Sequence, residues 1–318
     1  MKYFLVIFFS FTAIIAQSSA SKTGSFTRLG QSAYQLSMGN SGIAAEANGA
    51  SFYYNPSAVL FSETKTILGA NVQQLSLDRN VYSLGFSKLT KRGAQLSMGW
   101  IHAGVDDLYE YNSEAVKGEE LNFGMNAFYA SFGVKIGTKL GISFTGKYLT
   151  ESLTDYYKDD YKASGFSLDI STIYILSNKT QIAFVVRDLS GKITTNSDKV
   201  FGESSNLTAF EIDQKLPKYM IVGVQTSELF EMMNFYHFEQ NIDLKVMEDK
   251  TVSIHTGIEY NGFENGSLRA GLDKNHINAG LGLNFMFGNK RIVLDYAFVS
   301  SFYSEGESHI FSWSMELN

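Results

Sequence analysis

Beyond about residue 65, hydrophobic and polar positions alternate with a period of two along most of the chain. From Leu140 to Tyr148, residues Leu140, Ile142, Phe144, Gly146 and Tyr148 fall on one side, with Gly141, Ser143, Thr145 and Lys147 on the other. Successive strand residues point to opposite faces, so this is a strand with one greasy face and one small or polar face. The split recurs at Phe128/Ala130/Phe132/Val134/Ile136 against Tyr129/Ser131/Gly133/Lys135. It returns near the end as Phe311/Trp313/Met315/Leu317 against Ser312/Ser314/Glu316. The pattern predicts fourteen strands, over 65–77, 80–89, 93–102, 126–137, 139–150, 164–176, 180–187, 218–226, 234–246, 251–260, 266–273, 276–287, 290–300 and 308–317.

Loop parity gives this list its architecture. The long connections 103–125, 151–163, 188–217 and 301–307 all follow odd-numbered strands and therefore share a rim. Even-numbered strands end mostly in tight turns such as Thr90-Lys91-Arg92 and Gly288-Asn289-Lys290. The exception, 227–233, is expected to form a short helix. A soluble sandwich also alternates but has no reason to sort its loops in this way. The reading is therefore all-β: a 14-stranded antiparallel transmembrane β-barrel of the bacterial outer membrane, residues 65–318, with both termini periplasmic.

Composition agrees. Only 2 prolines interrupt 318 residues, as long paired strands require, while 25 Phe and 18 Tyr can supply interfacial girdles. Cysteine is absent, which removes disulfides, thiolate nucleophiles and cysteine metal sites. A net charge of −6 argues against a nucleic-acid partner. Residues 1–20 combine Lys2, an apolar run from Tyr3 to Ala16 and small residues at Ser18 and Ala20, the pattern of a cleaved secretory signal.

Residues 21–64 do not alternate. They carry Gly39, Gly42, Phe52, Tyr53 and Tyr54, then Asn55-Pro56, with the proline placed for the first turn of a short helix through Ala58, Val59 and Leu60. A tail exposed to water would not carry so many large apolar residues, so this segment is expected to fold back and plug the lumen.

The run Leu36-Ser37-Met38-Gly39-Asn40-Ser41-Gly42, followed by Ala50-Ser51 and Tyr54-Asn55-Pro56-Ser57, resembles the N-terminal signature of the PorV/PorQ family. Gly99-Trp100-Ile101, Asn126-Ala127-Phe128-Tyr129 and Lys147-Tyr148-Leu149 fit as well. Asn40-Ser41 stands where that family usually has a second glycine, and the chain lacks a terminal aromatic residue. The resemblance implies a fourteen-stranded barrel similar to the FadL-type transporters, with the N-terminal segment inside. It also implies a role in protein secretion or surface attachment of the type IX kind, with secreted cargo or secretion-machine subunits as partners. The alternative is a FadL-like uptake channel for a hydrophobic small molecule; in both readings the barrel contacts outer-membrane lipid.

The most polar inward face is His237, Glu239, Asn241, Asp243 and Lys245 on the ninth strand, with Ser253, His255 and Glu259 opposite on the tenth. A ladder tying wall to plug is the expected role, since lumens are polar by default. A hydrolase reading is set aside: Ser253 and His255 stand two residues apart on one strand, about 7 Å, too far for direct contact. No nucleophile elbow or zinc-binding helix motif occurs, and no catalytic residue, metal or cofactor is assigned. In loop 151–163, Asp155, Tyr156, Tyr157 and Tyr161 are the candidates for contact with a partner protein or an apolar ligand.

Overall fold

The computed structural model describes residues 23–154, 161–196, 211–228, 238–247, 251–273, 276–301 and 306–317. The signal sequence, His237, Asp155, Tyr156, Tyr157 and most of segment 227–233 lie outside the described residues, as does the side chain of Tyr161.

The strands are β1 (Thr66–Leu75), β2 (Arg79–Leu89), β3 (Gln95–Val105), β4 (Tyr109–Tyr111), β5 (Lys117–Glu120), β6 (Asn122–Ile136), β7 (Leu140–Thr154), β8 (Tyr161–Ser177), β9 (Thr180–Arg187), β10 (Lys192–Asn196), β11 (Glu211–Lys215), β12 (Tyr219–Thr226), β13 (Phe238–Met247), β14 (Val252–Tyr260), β15 (Gly266–Leu272), β16 (His276–Phe287), β17 (Lys290–Ser301) and β18 (Glu307–Leu317). Fourteen of them close a ring, β1-β2-β3-β6-β7-β8-β9-β12-β13-β14-β15-β16-β17-β18 and back to β1, each neighbour antiparallel. Ring closure leaves these fourteen strands without a free edge along the ring and pairs most of their backbone within the wall. Thr66 pairs with Leu317, which defines a terminal rim; the opposite end is the loop rim.

Alternation sorts the side chains as expected. Phe132 and Phe144 form a cross-strand pair and are 50% and 57% exposed, whereas their neighbours Ser131 and Ser143 are 5% and 0% exposed. Leu84, Met98, Phe166, Leu168, Leu244, Leu268, Leu281 and Phe311 continue the exposed apolar belt around the ring. A belt of this extent calls for lipid rather than water around the wall.

Two predicted loops are partly strand. Within 103–125, β3 and β6 run further than expected, and β4 and β5 pair as a separate hairpin. Within 188–217, β10 and β11 extend the wall toward the loop rim: β10 pairs with β8 through Lys192↔Phe166 and with β11 through Lys192↔Lys215. The alternation there is too short to be read as strand, and Pro217 argues against one.

Between β9 and β10 the seventh wall strand carries surplus residues. Ile170 faces Val186, but Phe166 faces Lys192, so three residues of β8 stand against five on the other side. The excess forms an irregular break over 188–191, where Asp188 has φ 59°. Side chains of the Asp type tolerate this left-handed conformation better than most.

Residues 24–61 pack against the inward face of the wall. Helix α1 (Ala33–Ser37) starts at Ser32, whose hydroxyl accepts from the Tyr34 amide. Helix α2 (Ser51–Tyr54) leads into a 3-10 turn, Pro56–Phe61, capped by Asn55, whose side chain accepts from the Ser57 amide. Phe52, Tyr53, Tyr54, Ala58, Val59 and Leu60 are all buried.

Candidate functional site

The site is the lumen and the segment lying in it. Wall glycines let the segment approach. A Cβ placed on Gly99 would fall 1.9 Å from the Phe52 ring, and one on Gly257 would fall 2.5 Å from the backbone of Met38. Glycine at these positions is a packing requirement. Gly39 and Gly42 have φ of 72° and 109°, where other L-residues are strained.

Facing the loop rim, side chains of the wall hold the segment's backbone. The Arg187 guanidinium donates to the carbonyl of Tyr53 at 2.6 Å, to that of Tyr54 at 3.3 Å and to the Tyr219 hydroxyl at 3.2 Å. It also lies 4.2 Å from the Tyr53 ring centroid. Asp243 accepts from the Gly42 and Ile43 amides at 2.8 and 3.0 Å, a carboxylate answering two orphan donors. Asn55 donates to the carbonyls of Ile43 and Thr172, joining segment and wall. Burial pushes the Tyr54 phenol well above its ordinary pKa, so it stays a neutral donor to Asn40.

His255 Nδ1 donates to the Gly39 carbonyl at 2.9 Å, and the Ser253 hydroxyl lies 3.0 Å from Nε2. The expectation that these two side chains cannot touch is therefore wrong. Their Cα separation is that of any i, i+2 pair, but the imidazole leans along the strand and spans the gap. Gly39 fixes the tautomer, and the contact belongs to the tie between wall and segment.

The strand break has its own charged cluster. Lys147 Nζ lies 2.8 Å from Asp169 and 2.5 Å from Asp188, all three buried. The Asp188 amide donates to Asp169, and Ser167 donates to Asp188. Side chains here supplement the backbone ladder, which at the surplus residues keeps a bond from the Leu189 amide to the Leu168 carbonyl at 2.9 Å.

Toward the terminal rim lies a cavity of about 400 Å³ between the segment and the wall from β12 through β18 to β1 and β2, lined by Gln31, Tyr34, Glu46, Asn71, Glu239, Glu259, Arg269, Arg291, Asp295 and Glu316. Arg269 bridges Glu259 at 2.8 Å and Asp295 at 2.6 Å with its guanidinium 4.5 Å from the Tyr34 ring centroid. A second concavity, about 1010 Å³, lies on the belt side of the wall. Ala70, Ala130 and Gly146 form its floor; Met98, Trp100, Phe128, Tyr148, Phe166 and Leu168 rise around it. It reaches Ser190 in the strand break.

The predicted polar cluster thus divides. Asp243 and His255 hold the segment, Glu239 and Glu259 line the terminal-rim cavity, Lys245 lies 4.3 Å from the Tyr219 ring centroid, and Asn241 is buried between them. Met38, Gly39, Gly42, Phe52, Tyr53, Tyr54, Asn55 and Pro56 come together as the packed centre of the segment. Arg187, Asp188, Arg269, Asp295 and Glu46 escaped the sequence reading. A charged residue on the small-residue face of a strand, as Arg269 and Asp295 are, was the available signal.

The chain matches no protein-family model and none of the curated proteins. Solved structures do match. The toluene transporter TbuX of Ralstonia pickettii aligns over 91% of this chain and 99% of its own, at 12% identity and TM-score 0.63. This is the FadL-type barrel fold. The toluene transporter TodX of Pseudomonas putida aligns with TM-score 0.62 at 12% identity, over 91% of this chain and 98% of that one. A FadL homologue of Pseudomonas aeruginosa gives 0.62 at 8% identity, over 90% and 98%. Identities this low establish the architecture; chemistry has to be argued from this chain's own residues.

Proposed function

We propose that this protein is a channel for hydrophobic small molecules in the bacterial outer membrane, with residues 24–61 as its plug and both termini on the periplasmic side. The observation that carries the reading is full-length likeness to barrels named as toluene transporters and as a FadL homologue. Two features of this chain support it. The plug is tied by side chains and close packing, while the wall pairs strand to strand without it. The terminal-rim half of the lumen is charged and unsuited to an apolar solute, whereas the apolar concavity lies on the wall and reaches the strand break.

The resemblance to PorV/PorQ proteins implied a docking role in secretion. Here the motif has a local explanation that needs no cargo: Gly39 and Gly42 make turns, Met38 packs on Gly257 and Gly271, and Asn55 ties plug to wall. The test is uptake of radiolabelled toluene by cells with an intact outer membrane and no channel of this type. Expression of this protein should raise uptake above a vector control. No increase with correctly inserted protein, together with secreted proteins co-purifying in mild detergent, would replace transport with docking.

A further inference from the structure

The apolar concavity on the outer face of the wall ends in cations. Leu84, Phe86 and Lys88 share the outward face of β2, since Ser83 and Ser87 are buried on the opposite side. Leu84 and Phe86 line the concavity. Lys88 is the next outward residue toward the terminal rim, about 7 Å further along the strand. Its cross-strand neighbours are Thr66 and Leu96, the first outward residue of β3, so Lys88 stands at the margin of the belt. A lysine there lays its stem along apolar surface and carries its charge to headgroup depth. The turn that follows adds Lys91 and Arg92, both exposed. Lys88, Lys91 and Arg92 form no salt bridge with another described residue. Lys139, Lys179 and Lys290 stand at the β6–β7, β8–β9 and β16–β17 turns of the same rim. At the loop rim, β2 and β3 instead meet Asp78, Asp106 and Asp107 around Arg79, a net negative charge.

A second observation, of shape, is independent of the charges. Ala130 and Gly146 are cross-strand partners on the floor of the concavity. A Cβ on Gly146 would meet nothing nearer than the Ala130 carbonyl oxygen, 4.0 Å away. The space above inward-facing Gly99 and Gly257 is filled by the N-terminal segment; the space above Gly146 is filled by nothing in the chain. Trp100, Phe128, Tyr148 and Phe166 rise on the loop-rim side of this floor, and Lys88 lies on its terminal-rim side. The occupant that fits has an apolar body and an anionic end pointing to the terminal rim.

We infer that this concavity seats an acyl chain of an anionic phospholipid from the leaflet at the terminal rim, periplasmic in the orientation proposed above, with the headgroup phosphate held by Lys88, Lys91 and Arg92. A zwitterionic lipid fills the same groove with a weaker hold, because its head carries no net charge to answer the three cations. The inference does not depend on hydrocarbon uptake: either can fail while the other stands.

Native mass spectrometry of the full-length protein in a neutral detergent, titrated with phosphatidylglycerol, is the test. Phosphatidylcholine with the same acyl chains and glycerol phosphate without chains are the controls. Phosphatidylglycerol should be retained at least about tenfold more tightly than phosphatidylcholine, at roughly fivefold per cation. Lys88→Gln/Lys91→Gln/Arg92→Gln should abolish that preference and leave phosphatidylcholine binding unchanged. Gly146→Phe, which fills the open floor, should weaken both lipids. Lys117→Gln/Lys192→Gln/Lys215→Gln removes the same charge at the loop rim and should alter neither. Heat-modifiable migration on gels verifies that each variant is folded. Equal retention of the two lipids, a preference that survives the first triple variant, or one lost equally in the loop-rim variant would overturn the proposal. So would unchanged binding in Gly146→Phe, or glycerol phosphate competing as well as the whole lipid.

Discussion

Gly99→Ala is the smallest change that should unseat the N-terminal segment. A Cβ there would sit 1.9, 2.2 and 2.5 Å from three atoms of the Phe52 ring. Carbon atoms pack at about 3.5–4.0 Å, so the ring would have to retreat by roughly 1.5–2 Å. It has nowhere to go. The position of a Cβ on Gly85, the cross-strand partner of Gly99, is already 2.5 Å from the same ring, and Tyr129 stands edge-on with centroids 5.6 Å apart. Overpacking of this kind costs about 1–3 kcal/mol. With a factor of ten for every ~1.4 kcal/mol, the unseated segment becomes roughly 5- to 150-fold more populated. Proteolysis of a transiently opened segment follows that population. Cleavage of the N-terminal segment by thermolysin should therefore accelerate by about this factor while the barrel stays intact. Phe52→Ala also accelerates cleavage through lost burial, but Gly99→Ala added to it should add nothing, because the clashing ring is gone. If the double variant showed the product of the two single effects, Gly99 and Phe52 would not be in contact and the packing described here would be wrong.

Other perturbations follow from the same contacts. Arg187→Met leaves the carbonyls of Tyr53 and Tyr54 without their charged donor and should cost about 1.5–3 kcal/mol per charged hydrogen bond, read as earlier thermal unfolding in detergent. Lys147→Met strands two buried carboxylates and should destabilise by about 3–5 kcal/mol; adding Asp169→Asn and Asp188→Asn should recover much of it. Tyr54→Asp or Phe52→Asp should raise the conductance of the barrel in a planar bilayer, and unchanged conductance would count against a plug that closes the lumen. For Glu46 the folded state binds its proton more tightly than the unfolded chain, so this group's contribution to stability falls as pH rises from the ordinary carboxylate range through its raised pKa. Glu46→Gln should flatten that part of the stability profile, measured by urea unfolding across pH.

The barrel was legible in the sequence because its wall obeys two local rules, side-chain alternation and loop parity, and neither depends on distant contacts. Gly141–Lys147 against Leu140–Tyr148 is enough to orient β7. The burial of Phe52 and Tyr54 was legible for a different reason: a run of aromatics without strand alternation needs a place out of water. The partners of those residues were not. Arg187 meets Tyr53 across 134 residues of chain, and Asp243 meets Gly42 across 201, so nothing in either neighbourhood announces the pairing. The strand break was missed because a register surplus between β8 and the seventh strand exists only in relation to both. The Ser253–His255 contact was missed because Cα spacing was taken for side-chain reach.

The strands of the ring pair directly with one another, and residues 24–61 form no part of those ladders. That permits an order of assembly. The wall can close in the membrane while the N-terminal segment is still outside it, and the segment enters afterwards a cylinder whose glycines, carboxylates and guanidinium already mark its place. The lumen is then a mould set before its contents, and a segment of altered sequence can fail to seat without preventing insertion of the wall.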